Sequence, residues 1–305
     1  MDMYQKRKMR AENKKNNSQE SFSKVPISWY PGHMAKTKRQ IKENISLIDI
    51  VYELIDARIP YSSKNKDIDE MIKNKPRILI MTKMDMCDLE ETNKWKKYYE
   101  DKGYKVVMVD LLNNKNIKEI FNITEDIIKK ENIKRKEKGL KERKGRVLVL
   151  GIPNVGKSTL INKLAGKKVA NTGNKPGVTK QVNWLKTNSG FLLLDTPGIL
   201  WPKIEDNTEA LSLASTATIK MEILNMTDIG GYIITFFKNY YKDIFAKKYN
   251  IIVSDNPSEV FASLAEKFNF FEKDGEIDYE KVSNKVYNDL VSGSLKGVTF
   301  DRWKI

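Results

Sequence analysis

The feature that most constrains the fold of this chain is a glycine-containing turn between an apolar run and a helical pattern. Residues 151–158 read GIPNVGKS and match G-x-x-x-x-G-K-[ST] at every fixed position. Residues 146–150 have the composition of a buried parallel strand, and residues 159–164 have the apolar spacing of a helix. Gly151 and Gly156 let backbone N–H groups converge at the helix N-terminus, which stabilises an anion. We therefore predict a phosphate-binding loop.

Side chains in this loop are suited to a nucleotide triphosphate with Mg²⁺. Lys157 would neutralise the β- and γ-phosphates, and the Ser158 hydroxyl would bind the metal. The backbone of the residues around them would hold phosphate oxygens, namely Asn154, Val155, Gly156 and Thr159.

A second buried-strand pattern, residues 191–194, ends in Asp195-Thr196-Pro197-Gly198. A carboxylate at the end of a strand beside the phosphate loop can hold the water shell of Mg²⁺, and the Gly198 N–H can reach the γ-phosphate. In isolation this tetrapeptide is also an ordinary turn. Its distance after the phosphate loop favours the first interpretation.

Between these two motifs lies a polar loop with Gly and Pro, residues 171–179. Such a segment is a candidate for a switch that orders around Mg²⁺ and the γ-phosphate. Thr179 would supply its hydroxyl and carbonyl, unless the segment is only a surface loop.

A candidate base-binding element precedes the phosphate loop. Residues 76–81 form a strand pattern that leads into Thr82-Lys83-Met84-Asp85, similar to the Asn-Lys-x-Asp signature of GTPases. Asp85 can accept both the N1–H and the 2-amino hydrogens of guanine, a contact that adenine cannot make. Lys83 would lay its stem along the base. Because Thr82 replaces Asn, we expect guanine preference with weaker affinity.

The order of these motifs indicates a rearranged sheet. In ordinary GTPases the phosphate loop comes first and the base element last, so this chain is predicted to be circularly permuted. Ligand position depends on the spatial order of strands and not on the termini, so every loop would still lie at the carboxyl edge of one parallel sheet. A helix over 117–133 and a basic stretch over 134–144 would join the old termini.

A further strand is predicted over residues 106–110. Asp110 and Leu111, at its end, fall where GTPases place a small-residue loop against guanine. Leu111 is bulkier than the usual Ser or Ala. The position of this element therefore matches the GTPase pattern, but its residue type does not.

Charge indicates the class of partner. The chain has 55 Lys and Arg against 40 Asp and Glu, a formal charge of +15. This excess could reflect a Lys-rich proteome or an anionic membrane, but clusters such as Lys6-Arg7-Lys8 and Lys134-Arg135-Lys136 favour binding to an RNA phosphate backbone. We expect no membrane association, because the chain has no lipidation motif and no run of transmembrane length.

The ends of the chain differ from its centre. Residues 1–25 are predicted to be a disordered basic arm, because they lack apolar periodicity. Helical spacing over 209–224, 228–245, 256–270 and 278–291 predicts an all-α domain at 205–305, after an α/β P-loop domain at 26–204. The single cysteine, Cys87, suits a reducing compartment, and we expect a cytoplasmic protein.

Together the motifs resemble a known family, the circularly permuted ribosome biogenesis GTPase A family, also called RbgA or YlqF. The resemblance rests on these segments: residues 29–36, WYPGHMAK; 56–60, DARIP; 151–158; 176–179, PGVT; and 195–202, DTPGILWP. It implies a GTPase that binds GTP and GDP and acts late in assembly of the large ribosomal subunit. Partners would be the precursor of that subunit and its rRNA, and we expect a monomer.

Catalysis requires a group outside the Asp-x-x-Gly motif. Many GTPases carry a Gln directly after that glycine, whereas this chain has Ile199. His33 is the only histidine, and imidazole can orient or deprotonate water near neutral pH. A lone histidine is more often structural, but the family resemblance implies that His33 is catalytic once a ribosomal particle docks. The resemblance also implies K⁺ binding by Asn154, and the alternative is that this Asn serves loop geometry alone.

Two other functions remain open at this point. A nucleotide-gated RNA-binding scaffold with negligible hydrolysis is favoured by Ile199 and by the altered Thr82 and Leu111. An ATPase of RNA metabolism is the third hypothesis. Nucleotide competition and particle-stimulated turnover distinguish the three.

Overall fold

A computed structural model describes residues 32–72, 75–170, 182–187, 190–200, 204 and 206–303, without the side chains of His33, Lys66 and Met221. Its centre is a six-stranded sheet. The strands are β1 Ile50–Asp56, β2 Arg77–Thr82, β3 Lys105–Met108, β4 Arg146–Gly151, β5 Asn183–Lys186 and β6 Leu192–Asp195.

The strand order is β3-β2-β1-β4-β6-β5. All neighbours pair in parallel except β5, which runs antiparallel to β6 at the edge. Every residue of β1 is buried, as are all but the first of β2 and β4. This continuous apolar pattern is the one expected of strands covered on both faces. The predicted parallel sheet is thus confirmed, with one antiparallel edge strand.

Strand order confirms the circular permutation. The phosphate loop follows β4 and the candidate base element follows β2, and β1 lies between them. In register, Asp56 of β1 pairs with Thr82, and Leu54 of the same strand pairs with Gly151. Both loops therefore leave the same carboxyl edge, although the base element comes about seventy residues earlier in the chain.

Helices cover both faces of the sheet. Those of the first part of the chain are α1 Gly32–Asn44, α2 Lys66–Ile72, α3 Leu89–Asp101, α4 Ile117–Glu137 and α5 Lys157–Ala165. Asp88 caps α3 by accepting a hydrogen bond from the Glu91 N–H, which satisfies one of the free donors at a helix start. Strands β1 and β5 and helices α1, α2 and α3 were not predicted from the sequence.

The predicted connection between the old termini is present in modified form. Helix α4 extends to Glu137, four residues beyond the predicted end. The stretch that follows is held by Asp49, whose carboxylate pairs with Arg143 Nη2 at 2.6 Å and accepts from the Arg146 N–H at 2.9 Å. These contacts fix the entry into β4.

The strand predicted over 106–110 needs correction, because it runs from Lys105 to Met108. Asn116 donates its side-chain N–H to the Met108 carbonyl, and the Asp110 carboxylate accepts the N–H groups of Leu112 and Asn113. These bonds turn the chain before the ladder can continue.

The C-terminal part is helical, as predicted. Its helices are α6 Asn207–Ser215, α7 Met226–Tyr240, α8 Lys242–Tyr249, α9 Pro257–Phe268 and α10 Tyr279–Ser292. Two predicted helices are divided. The segment 209–224 is interrupted at Ala217, which has a φ of 61°. The segment 228–245 is broken at Tyr241, whose φ of −141° and ψ of 40° are not helical. Apolar periodicity continues through both breaks and therefore hid them.

The segment that follows α10 packs against the first half of the chain. Asp301 accepts hydrogen bonds from the Tyr61 and Ser62 N–H groups, both at 2.7 Å, and the indole of Trp95 donates to the Asp301 carbonyl. Residues after α10 thus pack on the first half of the chain. The predicted division at residue 204 stays a prediction. No helix in the described ranges combines the length and the apolar character needed to cross a membrane.

Candidate nucleotide-binding site

The predicted phosphate loop joins β4 to α5 with the expected backbone geometry. Asn154 and Gly156 have φ values of 57° and 101°, in the left-handed region that Asn and Gly adopt at least cost. A Cβ added at Gly156 would lie 3.2 Å from Leu111 Cδ1. Because α5 begins at Lys157, its N-terminus opens directly from the loop. Such a loop and helix start bind phosphate.

Lys157 lies under this loop and is only 6% exposed. Its ammonium donates to the Gly151 and Ile152 carbonyls, at 3.2 and 2.7 Å. Burial lowers the pKa of Lys157 to about 8, and the nearby Asp195 carboxylate opposes this shift. A phosphate anion at the loop would compensate the desolvated charge and hold the lysine protonated.

Asp195 ends β6 and pairs in register with Val149 of the neighbouring β4. Its residue exposure is 4%, and within the described residues its Oδ1 has no hydrogen-bond partner. Burial raises the pKa of Asp195 to about 6, against the opposing effects of Lys157 and the Thr196 N–H. A buried carboxylate oxygen without a donor is costly, and it is suited to a cation or its bound water.

The rest of the Asp-x-x-Gly segment lies directly on the phosphate loop. A Cβ at Gly198 would meet Pro153 N at 2.6 Å, so only glycine allows this approach. The next residue, Ile199, donates its N–H to the Gly151 carbonyl at 3.1 Å. Its carbonyl accepts from the Asn65 side chain at 3.2 Å. The two predicted phosphate motifs therefore form one unit.

The candidate base element is tied to the same loop. Thr82 ends β2, is fully buried, and donates from its hydroxyl to the Val155 carbonyl at 2.6 Å. A second contact reaches the Ile55 carbonyl at 3.2 Å. The Thr82 hydroxyl thus tethers the candidate base element to the phosphate loop.

The remaining residues of the base element continue from that tether. Lys83 has a φ of 60° and its ammonium lies 2.9 Å from Asp56 Oδ2. The Met84 N–H donates to the Val109 carbonyl at 3.3 Å. Burial raises the pKa of Asp85, its own N–H opposes this, and Asp110 adds to it. Asp85 therefore lies in a partly desolvated position where a pair of N–H donors would be a strong partner.

Asp110 and Leu111 have packing roles in this structure. The Asp110 carboxylate accepts from Leu112 N, Asn113 N and Asn113 Nδ2, at 2.9, 3.0 and 2.7 Å. Leu111 is 7% exposed and packs toward Gly156. Contact of either residue with guanine stays a prediction.

Asn154 connects the phosphate loop to the C-terminal helices. Its Nδ2 donates to the Ala217 carbonyl at 2.7 Å, across 63 residues of sequence. This bond fixes the plane of the amide and hence the position of its oxygen. Sequence analysis predicted a role for the amide but had no signal for this contact.

Of two further predicted site residues, Thr179 and His33, only the backbone of His33 belongs to the described part of the chain. Thr179 lies outside the described residues. His33 is the second residue of α1, of which the backbone alone is described there. The next residue, Met34, is fully buried in the main core.

Sequence analysis assigned no role to Asp56 and Arg58, which the structure places beside Lys83. Both are 1% exposed, and the guanidinium of Arg58 donates to both oxygens of the Asp56 carboxylate. Both residues belong to the segment 56–60, DARIP, which contributes to the family resemblance.

Comparison with known proteins agrees with this geometry. The family model described as 50S ribosome-binding GTPase matches residues 146–257. Ribosome biogenesis GTPase A of Priestia megaterium is 42% identical over 279 residues, covering 91% of this chain and 97% of that protein. The Thermotoga maritima protein of the same name is 31% identical over 276 residues, covering 90% and 94%.

A solved structure shares the fold. The GNP-bound YlqF of T. maritima aligns with a TM-score of 0.60 at 29% identity, covering 88% of this chain and 98% of that one. Similarity thus extends over both the sheet and the C-terminal helices. With its permuted sheet, phosphate loop and base element, the chain belongs to the ribosome biogenesis GTPase A family.

Proposed function

We propose that this ribosome biogenesis GTPase binds GTP across the edge formed by β2, β1 and β4, and hydrolyses it during late assembly of the large ribosomal subunit. The observation that carries the proposal is the hydrogen bond from Thr82 to the Val155 carbonyl. It ties the base element to the phosphate loop, so that one nucleotide can engage both. Asp85 would then read the guanine edge and Lys83 would pack on its face.

At the phosphate end, Lys157 and the N–H groups of residues 154–159 hold the β- and γ-phosphates. Gly198, which lies directly against Pro153 of the phosphate loop, would detect the γ-phosphate through its N–H. Replacement of the carbonyl contacts of Lys157 by phosphate contacts restores a charged partner to a buried ammonium.

The residues present fit a Mg²⁺ ion. Asp195 Oδ1 is buried without a hydrogen-bond donor in the part of the chain that the structure describes, and Ser158 stands at the second position of α5. Ser158 and Thr179 would bind the ion, with Asp195 holding its water shell. When bound, the ion neutralises charge on the phosphates. Thr179 remains a prediction from sequence.

Asn154 is proposed to bind K⁺. Its Nδ2 donates to the Ala217 carbonyl, and its amide oxygen would be the atom that binds the ion. A monovalent cation beside the phosphates would supply charge that other enzymes obtain from an arginine.

The side chain that activates water must belong to a residue other than Ile199. Ile199 is 2% exposed and packs in a hydrophobic cluster with Ile41 of α1. Helix α1, whose second residue is His33, therefore packs against the segment that follows Gly198. His33, near the start of the same helix, is proposed as the group that orients water, with docking of the particle completing its placement.

The partner is proposed to be the precursor of the large subunit, through its rRNA. The family model that matches residues 146–257 is described as 50S ribosome-binding. In this chain, residues 129–144 contain nine basic and three acidic side chains, on and after the exposed end of α4. Such a surface suits a phosphate backbone.

A second candidate function is a nucleotide-gated scaffold with negligible hydrolysis, favoured by the buried apolar Ile199. Multiple-turnover GTPase assays with and without immature large subunits separate the two. We expect particles to accelerate the wild type, and His33→Ala to lose about 100-fold of the stimulated rate. GDP affinity, measured on the same preparations, should be equal. If particles accelerate neither protein, the scaffold is the better description.

A further inference from the structure

A chain of buried charges connects the base element with the end of helix α10. The Lys83 ammonium lies 2.9 Å from Asp56 Oδ2. Arg58 Nε and Nη2 donate to the two Asp56 oxygens at 3.0 and 2.8 Å, and Arg58 Nη1 donates to the Leu290 carbonyl at 3.3 Å. Leu290 lies 232 residues from Arg58 and belongs to the last turn of α10. One side chain thus bridges the two halves of the molecule.

Charge balance explains why this series of charged side chains ends at a helix terminus. Asp56 faces two cations, Arg58 and Lys83, so the three side chains together carry a net positive charge, with Asp56 and Arg58 fully buried and Lys83 partly buried. The C-terminal end of an α-helix carries a partial negative charge, and the Leu290 carbonyl supplies it. Although burial alone would raise the pKa of Asp56, Arg58 and Lys83 hold it well below its usual range. The carboxylate therefore stays ionised.

Stability alone is a weak reason for this arrangement. Desolvation of a buried ion pair offsets much of its attraction, and apolar replacements are often equally stable. Lys83 also has a φ of 60°, which is uncommon for a residue with a Cβ and marks functional sites more often than ordinary loops. The Asp56 carboxylate holds the ammonium of Lys83, whose backbone has this strained conformation.

A second contact joins the same two regions. The Met86 carbonyl accepts from Gly297 N at 2.7 Å and from Val298 N at 3.3 Å. A Cβ at Gly293, directly after α10, would lie 3.3 Å from Met86 Cε. The loop that carries Asp85 is therefore held from its other side by residues 293–298.

We propose that Asp56 and Arg58 are positioning residues for guanine binding. Asp56 anchors the ammonium of Lys83 so that its stem packs on the base, and Arg58 couples this orientation to the seating of α10. The inference depends on the proposed role of residues 82–85 as the base element. Because coupling is reciprocal, nucleotide stabilises the end of α10, and a partner that displaces α10 weakens nucleotide binding by the same factor.

Hydrogen exchange of the full chain, with and without saturating GDP, tests this coupling. In the wild type, GDP should slow exchange of amides in 286–294 about tenfold. Arg58→Lys keeps a cation beside Asp56 but cannot reach both it and the Leu290 carbonyl. We expect less than a twofold effect of GDP on 286–294 in this variant. The Gly297 amide donates to the Met86 carbonyl and does not depend on Arg58, so GDP should slow its exchange equally in the wild type and in Arg58→Lys.

Arg77→Lys is the matched control. Arg77 lies on β2, is mostly buried, and pairs with Glu53 at 2.7 Å and with Asp69, away from Lys83. It should lower thermal stability comparably while leaving the effect of GDP on 286–294 unchanged. Lys83→Met provides a second variant, since it leaves Arg58 and Asp56 paired. At saturating GDP it should also lose the slowing in 286–294.

The outcomes separate the two levels of the proposal. A wild type that does not bind GDP overturns the proposed function itself. A wild type that binds GDP, with full slowing in Arg58→Lys and Lys83→Met, overturns the coupling alone. Equal loss in Arg77→Lys also overturns it, because the effect would then follow general destabilisation. If Arg58→Lys does not fold, Lys83→Met decides.

Discussion

Asn154 of the phosphate loop donates a 2.7 Å hydrogen bond to the carbonyl of Ala217, in the turn that follows α6. Ala217 itself has a φ of 61° and ends the helical pattern there. The predicted phosphate loop is thus attached directly to the C-terminal helices.

Replacement of this side chain should affect K⁺ dependence. In Asn154→Ala the ligand oxygen and the bond to Ala217 are both lost, so we expect the stimulation of GTP hydrolysis by K⁺ over Na⁺ to disappear. Loss of one such bond should also cost about 1 kcal/mol of stability. Steady-state hydrolysis in matched KCl and NaCl measures the first effect. Undiminished K⁺ stimulation in the variant would show that Asn154 serves loop geometry only.

Thr82→Val should loosen the connection between base element and phosphate loop. Valine has a similar shape but no hydroxyl, so the buried Val155 carbonyl loses its 2.6 Å donor. A buried acceptor left without a partner costs about 1–3 kcal/mol. Chemical unfolding should report this loss, and titration with fluorescent GDP should show weaker affinity. Thr82→Ser, which keeps the hydroxyl, is the control and should stay close to wild type.

The pKa of Asp195 predicts a pH dependence of folding without nucleotide. Its pKa is raised to about 6 in the folded chain, above its unfolded value, so the folded state binds more protons between these two values. Its contribution to stability is therefore full at low pH and is lost as pH rises through about 6. Relative to Asp195→Asn, the wild type should lose roughly 3 kcal/mol between pH 3.5 and 7.

Denaturant unfolding of both proteins across this range measures the difference. The Asn variant cannot ionise at this position, so the comparison reports the titration of Asp195 together with its effect on the pKa of the neighbouring Lys157. A difference in unfolding free energy that is independent of pH would contradict the assignment of Asp195 as a desolvated carboxylate.

Gly198→Ala should impair GTP more than GDP. The added Cβ would lie 2.6 Å from Pro153 N, so the segment must move away from the phosphate loop. Since the Gly198 N–H is proposed to contact the γ-phosphate, GTP affinity should fall about tenfold or more while GDP affinity changes less. Gly190→Ala is the control for general backbone strain, because its φ of 82° disfavours alanine while its Cβ would have nothing within 4 Å. Equal losses for both nucleotides would argue against γ-phosphate sensing here.

The sequence was most informative where backbone geometry restricts residue type. The strand, loop and helix over 146–164 were predicted correctly, because the turn between them requires glycine at fixed spacings. The close approach of Gly198 to Pro153 was not predicted. The permuted order followed from motif order alone. Element limits were less accurate, since apolar periodicity continues through the breaks at Ala217 and Tyr241.

Contacts distant in sequence could not be predicted. Arg58 and Leu290 are separated by 232 residues, and Asn154 and Ala217 by 63. Their meeting depends on how the C-terminal helices pack on the sheet edge, which no local pattern specifies. Asp56 and Arg58 were visible as a motif, but their function requires the position of Lys83, which tertiary structure alone provides.

The central claim is that one nucleotide spans from Asp85 to Lys157, and a change of base specificity tests it most directly. In Asp85→Asn the side chain can donate to the 2-oxo group of xanthine but no longer accepts both guanine hydrogens. Competition binding of GTP and xanthosine triphosphate to wild type and variant should show GTP weakened and xanthosine triphosphate improved, each by about tenfold or more. Unchanged GTP affinity, with no gain for xanthosine triphosphate, would contradict guanine recognition at this edge of the sheet.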